Sequence, residues 1–226
     1  MTRLLLASAS PARRATLVAA GVDPLVAVSG VDEDATLAAA RERFGDLEPA
    51  DAVLVLAQAK AQDVAENLPD ELADAGDLVV VGCDSMLEID GQILGKPADA
   101  ADAVARWTAM RGKVGVLHTG HWLMDERDTS DEPPAPGRLG AGHGAVLGAT
   151  SSTVVHFADL SDQEIAAYVA TGEPLAVAGA FTIDGLGGPF VERIEGDHHG
   201  VVGISLPLLR SLLGEIDVTI PDLWRR

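Results

Sequence analysis

Cysteine is almost missing from this chain of 226 residues: Cys83 is the only one. An internal disulfide framework is therefore excluded, and a reducing, cytoplasmic setting is expected. Lysine is scarce too, limited to Lys60, Lys96 and Lys113 among 16 basic residues set against 35 acidic ones. The resulting formal charge of −19 excludes a protein that coats nucleic acid, because no basic stripe is present to neutralise phosphates. No apolar run approaches the roughly 20 residues that span a bilayer, so no membrane association is expected. Met1-Thr2-Arg3 before Leu4-Leu5-Leu6 is too short an apolar stretch for a secretion signal. Three catalytic signatures are missing as well. There is no G-x-x-x-x-G-K-[ST] phosphate loop, no G-x-S-x-G elbow, and no H-E-x-x-H or cysteine partner for the six histidines.

What is present suits one α/β domain, or one domain of two lobes, with ample core. Residues 3–7 (RLLLA) have the pattern of a short buried strand, followed by a helix from Pro11 to about Ala20. Residues 24–29 suggest a second strand, and the acidic run Asp32-Glu33-Asp34 follows it. A long Ala-rich helix is expected over 50–67, then the most apolar strand, DLVVVGCDSMLEI. Asp90-Gly91 marks a two-residue hairpin turn that returns through Gln92-Ile93-Leu94. A helix over 99–110, a strand VGVLHTGHWLM and a Pro/Gly/Asp-rich surface loop over 126–149 come next. SSTVVHFADL then leads into a helix over 161–170, where Ser161 and Glu164 have capping-box spacing. The remainder reads as short strands, glycine corners and a C-terminal helix. Hairpins and crossovers together predict α/β with a mixed sheet.

Several residues stand out chemically. Ser10 can cap the first helix, with Pro11 at its first position and Arg13 and Arg14 at its third and fourth. Cations cost energy at a helix start, so arginines there make sense if an anion binds among the free amides. The alternative is an ordinary capped helix with surface arginines. Asp84 follows a run fit for a central strand, and such strands deliver their C-terminal ends to sites, where a carboxylate can bind metal or take a proton from water. The alternative is a turn cap. Lys96, between Gly95 and Pro97, is held extended and could be aimed at phosphate, or be a solvated loop lysine. Lys60 lies on the apolar stripe made by Val53, Leu56, Ala57 and Val64, where it either snorkels or meets an anion. Glu33 could help hold Mg²⁺, which takes one or two carboxylates plus substrate phosphates; a solvated acidic turn is the other reading. His198-His199 sits in a glycine corner and is expected to be exposed.

The stretches LLLASASPARRATLVAAGV, VDEDA, LAQAKAQDVA, VVVGCDSMLEIDGQILGKP, LHTGHWL, LSDQEIAAYVATGEP and AGAFTIDGLGGPFVERIEGDHHGVVGISLPLL together resemble the Maf family of nucleoside triphosphate pyrophosphatases. They occur in family order over nearly the whole chain. The resemblance implies an elongated, two-lobed α/β fold with a twisted mixed sheet and a central cleft, as one domain over 1–226 and often as a homodimer. It implies hydrolysis of (deoxy)nucleoside triphosphates to the monophosphate and pyrophosphate, dependent on Mg²⁺ or Mn²⁺, with removal of modified nucleotides as a role. By the same resemblance Asp84 is the general base and a metal ligand, Glu33 is the second metal-side acid, and Lys96 is a catalytic lysine. Ser10, Arg13 and Lys60 then bind phosphate, while Ser85 and Asp184 are base-side candidates.

Four departures accompany it. Ala12 stands where the family usually has arginine, and Ser85 where many members have threonine. Ala176-Val177 replaces a common Asp-Lys pair. Asp184 takes the place of the glutamine of pyrimidine-preferring members, and a carboxylate accepts hydrogen bonds but offers no amide donor. A rival reading, also carried by the resemblance, is a non-catalytic regulator of septum formation that acts through a protein partner. A nucleotidyltransferase is a weaker rival, because Ser8-Ala9-Ser10-Pro11 lacks the glycines of such a first loop.

Overall fold

The computed structural model describes residues 2–72, 76–127 and 144–224. The order begins β1 (Arg3–Ala7), α1 (Pro11–Ala19), β2 (Leu25–Ala27), α2 (Glu33–Phe44), α3 (Pro49–Glu66), β3 (Leu78–Ile89) and β4 (Gln92–Leu94). It continues α4 (Ala100–Met110), β5 (Val114–Glu126), β6 (Val146–Phe157), α5 (Asp162–Ala170), β7 (Val191–Glu195), α6 (His198–Val202) and α7 (Leu206–Glu215). The seven strands make one mixed sheet in the order β2-β1-β3-β5-β6-β7, with β4 paired to β3. β1 runs parallel to both β2 and β3, in the register Leu5 to Leu25 and Leu5 to Val80. β4 and β7 pair antiparallel with β3 and β6. The α/β class with a mixed sheet is as expected. No helix among the described residues is long and apolar enough to cross a membrane.

The chain divides into two compact units. The first comprises Met1–Asp84, Gly120–Thr150 and Leu206–Arg226; the second comprises Ser85–Thr119 and Ser151–Ser205. In the first, Leu5, Ala7, Ala27, Ala61, Val64, Leu78 and Val80 form a small-residue core in which α3 packs on the sheet. That packing is close because two strand positions beneath the helix have no side chain. A Cβ on Gly82 would lie 2.1 Å from the Ala57 carbonyl oxygen, and one on Gly120 would lie 2.4 Å from that of Val53. In the second unit the core is aromatic. Trp107 meets Phe157, Tyr168 and Phe190 edge-on, and its indole N–H donates to the Ala180 carbonyl at 2.8 Å. Buried Tyr and Trp generally find such a polar partner.

Four local expectations are corrected. The acidic run is no turn: Asp32 caps α2 by accepting from the Ala35 amide at 3.0 Å, and Glu33 opens the helix. Only Leu37 and Ala40 of α2 are buried, too narrow a stripe to announce a helix by periodicity. The loop over 126–149 is strand at both ends, since β5 reaches Glu126 and β6 starts at Val146; residues 128–143 lie outside the described set. The glycine-rich stretch after Gly172 forms short 3₁₀ turns at Glu173–Ala176, Ala178–Ala180 and Gly188–Phe190, and its single strand is β7. Of the histidine pair, His198 is exposed but His199 is half-buried; the two open the short helix α6, which Asp197 caps.

Candidate active site

In the first unit the chain leaves β1, turns at Ser8 and enters α1. The Ser10 hydroxyl accepts from the Arg13 amide at 3.4 Å, and Pro11 takes the first helical position. Ser8 does more than the sequence suggested. Its buried hydroxyl accepts from the Ser10 amide at 3.2 Å and from Nη1 of Arg13 at 3.0 Å. One serine therefore shapes the turn and holds the guanidinium. Its signal was the Ser-x-Ser spacing just ahead of the helix. Arg14 turns outward, where it reaches Asp23 at 3.4 Å.

The second cluster is assembled by α3 against β3. Gly82 allows the helix to settle on the strand, and two positions later Asp84 emerges beside Lys60. Lys60 Nζ lies 2.5 Å from Asp84 Oδ1 and 2.7 Å from Glu33 Oε1. Its side chain is 12% exposed and that of Asp84 10%, whereas Glu33 is 48% exposed. Lys60 therefore turns inward and pairs with two carboxylates of the chain rather than snorkelling to solvent. Burial raises the Asp84 carboxyl above its ordinary value, against the pull of Lys60 and Arg13; Glu33 adds a further push upward. Neighbouring Cys83 is buried, and burial pushes its thiol up to about 11, so it behaves as a neutral core residue.

Ser10, Arg13, Glu33, Lys60 and Asp84 thus belong to one unit, and Arg13 acts on Asp84 through its charge. Two carboxylates share one lysine, and both present hard oxygens of the kind Mg²⁺ and Mn²⁺ prefer. The donor set fits a divalent cation that completes its shell with phosphate oxygens and water.

The other three candidates lie in the second unit. Ser85 Oγ is 2.9 Å from Thr119 Oγ1, and the Thr119 hydroxyl donates to the Gly200 carbonyl at 2.8 Å. Lys96 is exposed, but the backbone before it is fixed: the Gly95 carbonyl accepts from Arg106 Nη1 at 2.7 Å and from the Gly179 amide at 3.0 Å. Asp184 is exposed on a turn that Glu173 clamps. The Glu173 carboxylate accepts from Thr182 Oγ1 at 2.6 Å, Tyr168 OH at 3.0 Å, and the Leu186 and Gly187 amides at 3.0 and 3.1 Å. Also in this unit, Asp197, His198 and His199 are close enough to share a cation. The Asp197 oxygens, however, already accept from the His199 and Gly200 amides.

A family model described as Maf-like protein matches residues 3–216. The chain is 57% identical to a protein of Salinispora tropica over 99% of its own length and 88% of that protein. It is 52% identical to one of Rhodococcus erythropolis over 100% and 98% of the two chains, and 50% identical to one of Streptomyces avermitilis over 98% and 94%. All three relatives carry the name nucleoside triphosphate pyrophosphatase.

Proposed function

Since the chain belongs to the Maf family, we propose that it is a nucleoside triphosphate pyrophosphatase, a hydrolase that splits its substrate between the α and β phosphates. Water adds to the α-phosphorus, the bridging P–O bond breaks, and a nucleoside monophosphate and pyrophosphate leave. The observation that carries this reading is the buried Asp84 carboxyl, held at 2.5 Å by a lysine that also holds Glu33.

Asp84 takes the proton from the attacking water. A carboxyl raised above its ordinary value is a stronger base than a solvated aspartate, and Lys60 keeps it oriented. The Ser10 hydroxyl and the Arg13 guanidinium at the start of α1 hold phosphate oxygens, and Lys60 offsets charge on them as the bond breaks. A bound Mg²⁺ or Mn²⁺ supplies charge neutralisation at the phosphates, with Glu33 and Asp84 as its protein ligands. Lys96 is assigned a phosphate contact, and Ser85 and Asp184 the base side, on the family resemblance. Modified or non-canonical nucleotides are the proposed substrates, and a cytoplasmic homodimer the proposed assembly.

Pyrophosphate release from a panel of canonical and modified nucleoside triphosphates, with Mg²⁺ or Mn²⁺, tests the reading. Metal-dependent release that collapses in Asp84→Asn is expected, and the panel names the base. A folded wild-type protein that releases no pyrophosphate from any substrate would overturn it.

A further inference from the structure

Helix α3 reaches the start of α2 and the segment ahead of it, one contact to each. Lys60 takes the Glu33 carboxylate at 2.7 Å, and three residues on Asp63 Oδ2 accepts from the Gly30 amide at 2.8 Å. The other Asp63 oxygen is occupied as well: Asn67 Nδ2 donates to Oδ1 at 3.3 Å and to the Asp63 carbonyl at 3.0 Å. Gly30 precedes Glu33 by three residues, and between them lies Asp32, the cap of α2. Only Leu37 and Ala40 of α2 are buried, so apolar packing pins the start of that helix weakly. Polar anchors must set where Glu33 sits.

We propose that Asp63 is a positioning residue that fixes the Gly30–Glu33 segment and thereby sets the affinity of the Glu33 carboxylate for a divalent cation. The proposal rests on the reading of Glu33 as a metal-side acid. Asp63 acts through the acceptor oxygen it offers Gly30, not through its charge. Groups that orient a metal ligand from behind are typically worth about 10- to 100-fold in affinity.

The test is Mn²⁺ binding to the full-length protein, read from the electron paramagnetic resonance of free Mn²⁺, beside the Mn²⁺ dependence of pyrophosphate release. Asp63→Ala is expected to weaken Mn²⁺ binding about 10-fold and to raise the half-maximal Mn²⁺ concentration by a similar factor, with kcat at saturating metal retained. Asp63→Asn keeps an acceptor for Gly30 and loses the charge, so it should bind Mn²⁺ close to wild type. Asn67→Ala, an exposed change at the helix end, should give a smaller loss in the same direction and covers the case of an unfolded Asp63→Ala. Unchanged Mn²⁺ affinity in Asp63→Ala and Asn67→Ala, while Glu33→Gln binds weakly, overturns the role of Asp63 alone. Equal loss in Asp63→Asn and Asp63→Ala overturns the acceptor mechanism. Normal Mn²⁺ binding by Glu33→Gln overturns the metal reading of Glu33 itself, and the Asp63 proposal with it.

Discussion

Asp84 is a buried carboxylate and Glu173 a half-buried one, one in each unit, and their surroundings push them in opposite directions. Burial raises Asp84, and the cations Lys60 and Arg13 recover only part of the cost. Burial also raises Glu173, but the donors Thr182, Leu186, Gly187 and Tyr168 outweigh it and leave that carboxyl below its ordinary value. The first is a charge held at a disadvantage beside a lysine it must share. The second is a charge held by four neutral donors. A carboxylate held by four donors clamps a turn and is a weakened base toward a reacting water. One kept short of donors is less stable and more basic, which is the compromise expected where chemistry is done.

Asp84→Asn bears hardest on that contrast. Pyrophosphate release should fall by about 10³-fold, within the range for loss of a general base. Thermal unfolding at pH 7 should nevertheless be no lower than wild type. The folded pKa of Asp84 is raised, so the ionised form costs stability at every pH above the unfolded value, and asparagine removes that cost. The difference should close as pH falls from the raised folded value to the ordinary carboxylate one. A strongly destabilised Asp84→Asn would show that the Lys60 pair is structural and break the contrast.

Gly82→Ala probes how the first carboxylate comes to meet its lysine. The new Cβ would meet the Ala57 carbonyl at 2.1 Å, so α3 must lift. Overpacking of this kind costs about 1–3 kcal/mol. A shift of 1 Å in catalytic groups can cost about 10²-fold in rate. Chemical denaturation and pyrophosphate release read the two effects separately.

Glu173→Gln sharpens the other side. Glutamine keeps one acceptor oxygen and turns an amide toward donors, at a cost of about 1–2 kcal/mol at pH 7. Because the folded pKa is lowered, the carboxylate's contribution is present above the unfolded value and is lost as pH falls through the folded one. The variant's deficit in thermal unfolding should therefore shrink in acid, and a constant deficit from pH 7 to pH 3 would contradict this account. The smallest effect is expected from Ser8→Ala. Arg13 loses its buried acceptor at 3.0 Å, so KM should rise several-fold with kcat little changed, roughly the worth of one hydrogen bond.

Sequence alone determined whatever is encoded within one element. Ser10 and Pro11 start α1, and Ser161 and Glu164 close a capping box, because a cap is satisfied by amides two or three residues away. Asp90-Gly91 turns the β3–β4 hairpin for the same reason, since positive φ is a local demand that both residues meet. The mixed sheet followed from hairpins and crossovers read in order. The family resemblance pointed to Asp84, Lys60, Glu33 and Arg13, and periodicity placed Lys60 on the buried stripe of α3.

Tertiary structure decided which of those groups meet. Lys60 and Asp84 are 24 residues apart, and no local rule says that their atoms come within 2.5 Å. That distance depends on Gly82 admitting the helix, and the pattern around Gly82 reads only as an apolar strand. The hold of Asp63 on Gly30, across 33 residues, escaped the sequence for the same cause, whereas helix α2 escaped because only Leu37 and Ala40 mark its buried face. The Lys60–Asp84 and Asp63–Gly30 contacts are each defined by a polar partner brought in from elsewhere, whereas apolar periodicity records only which face an element buries.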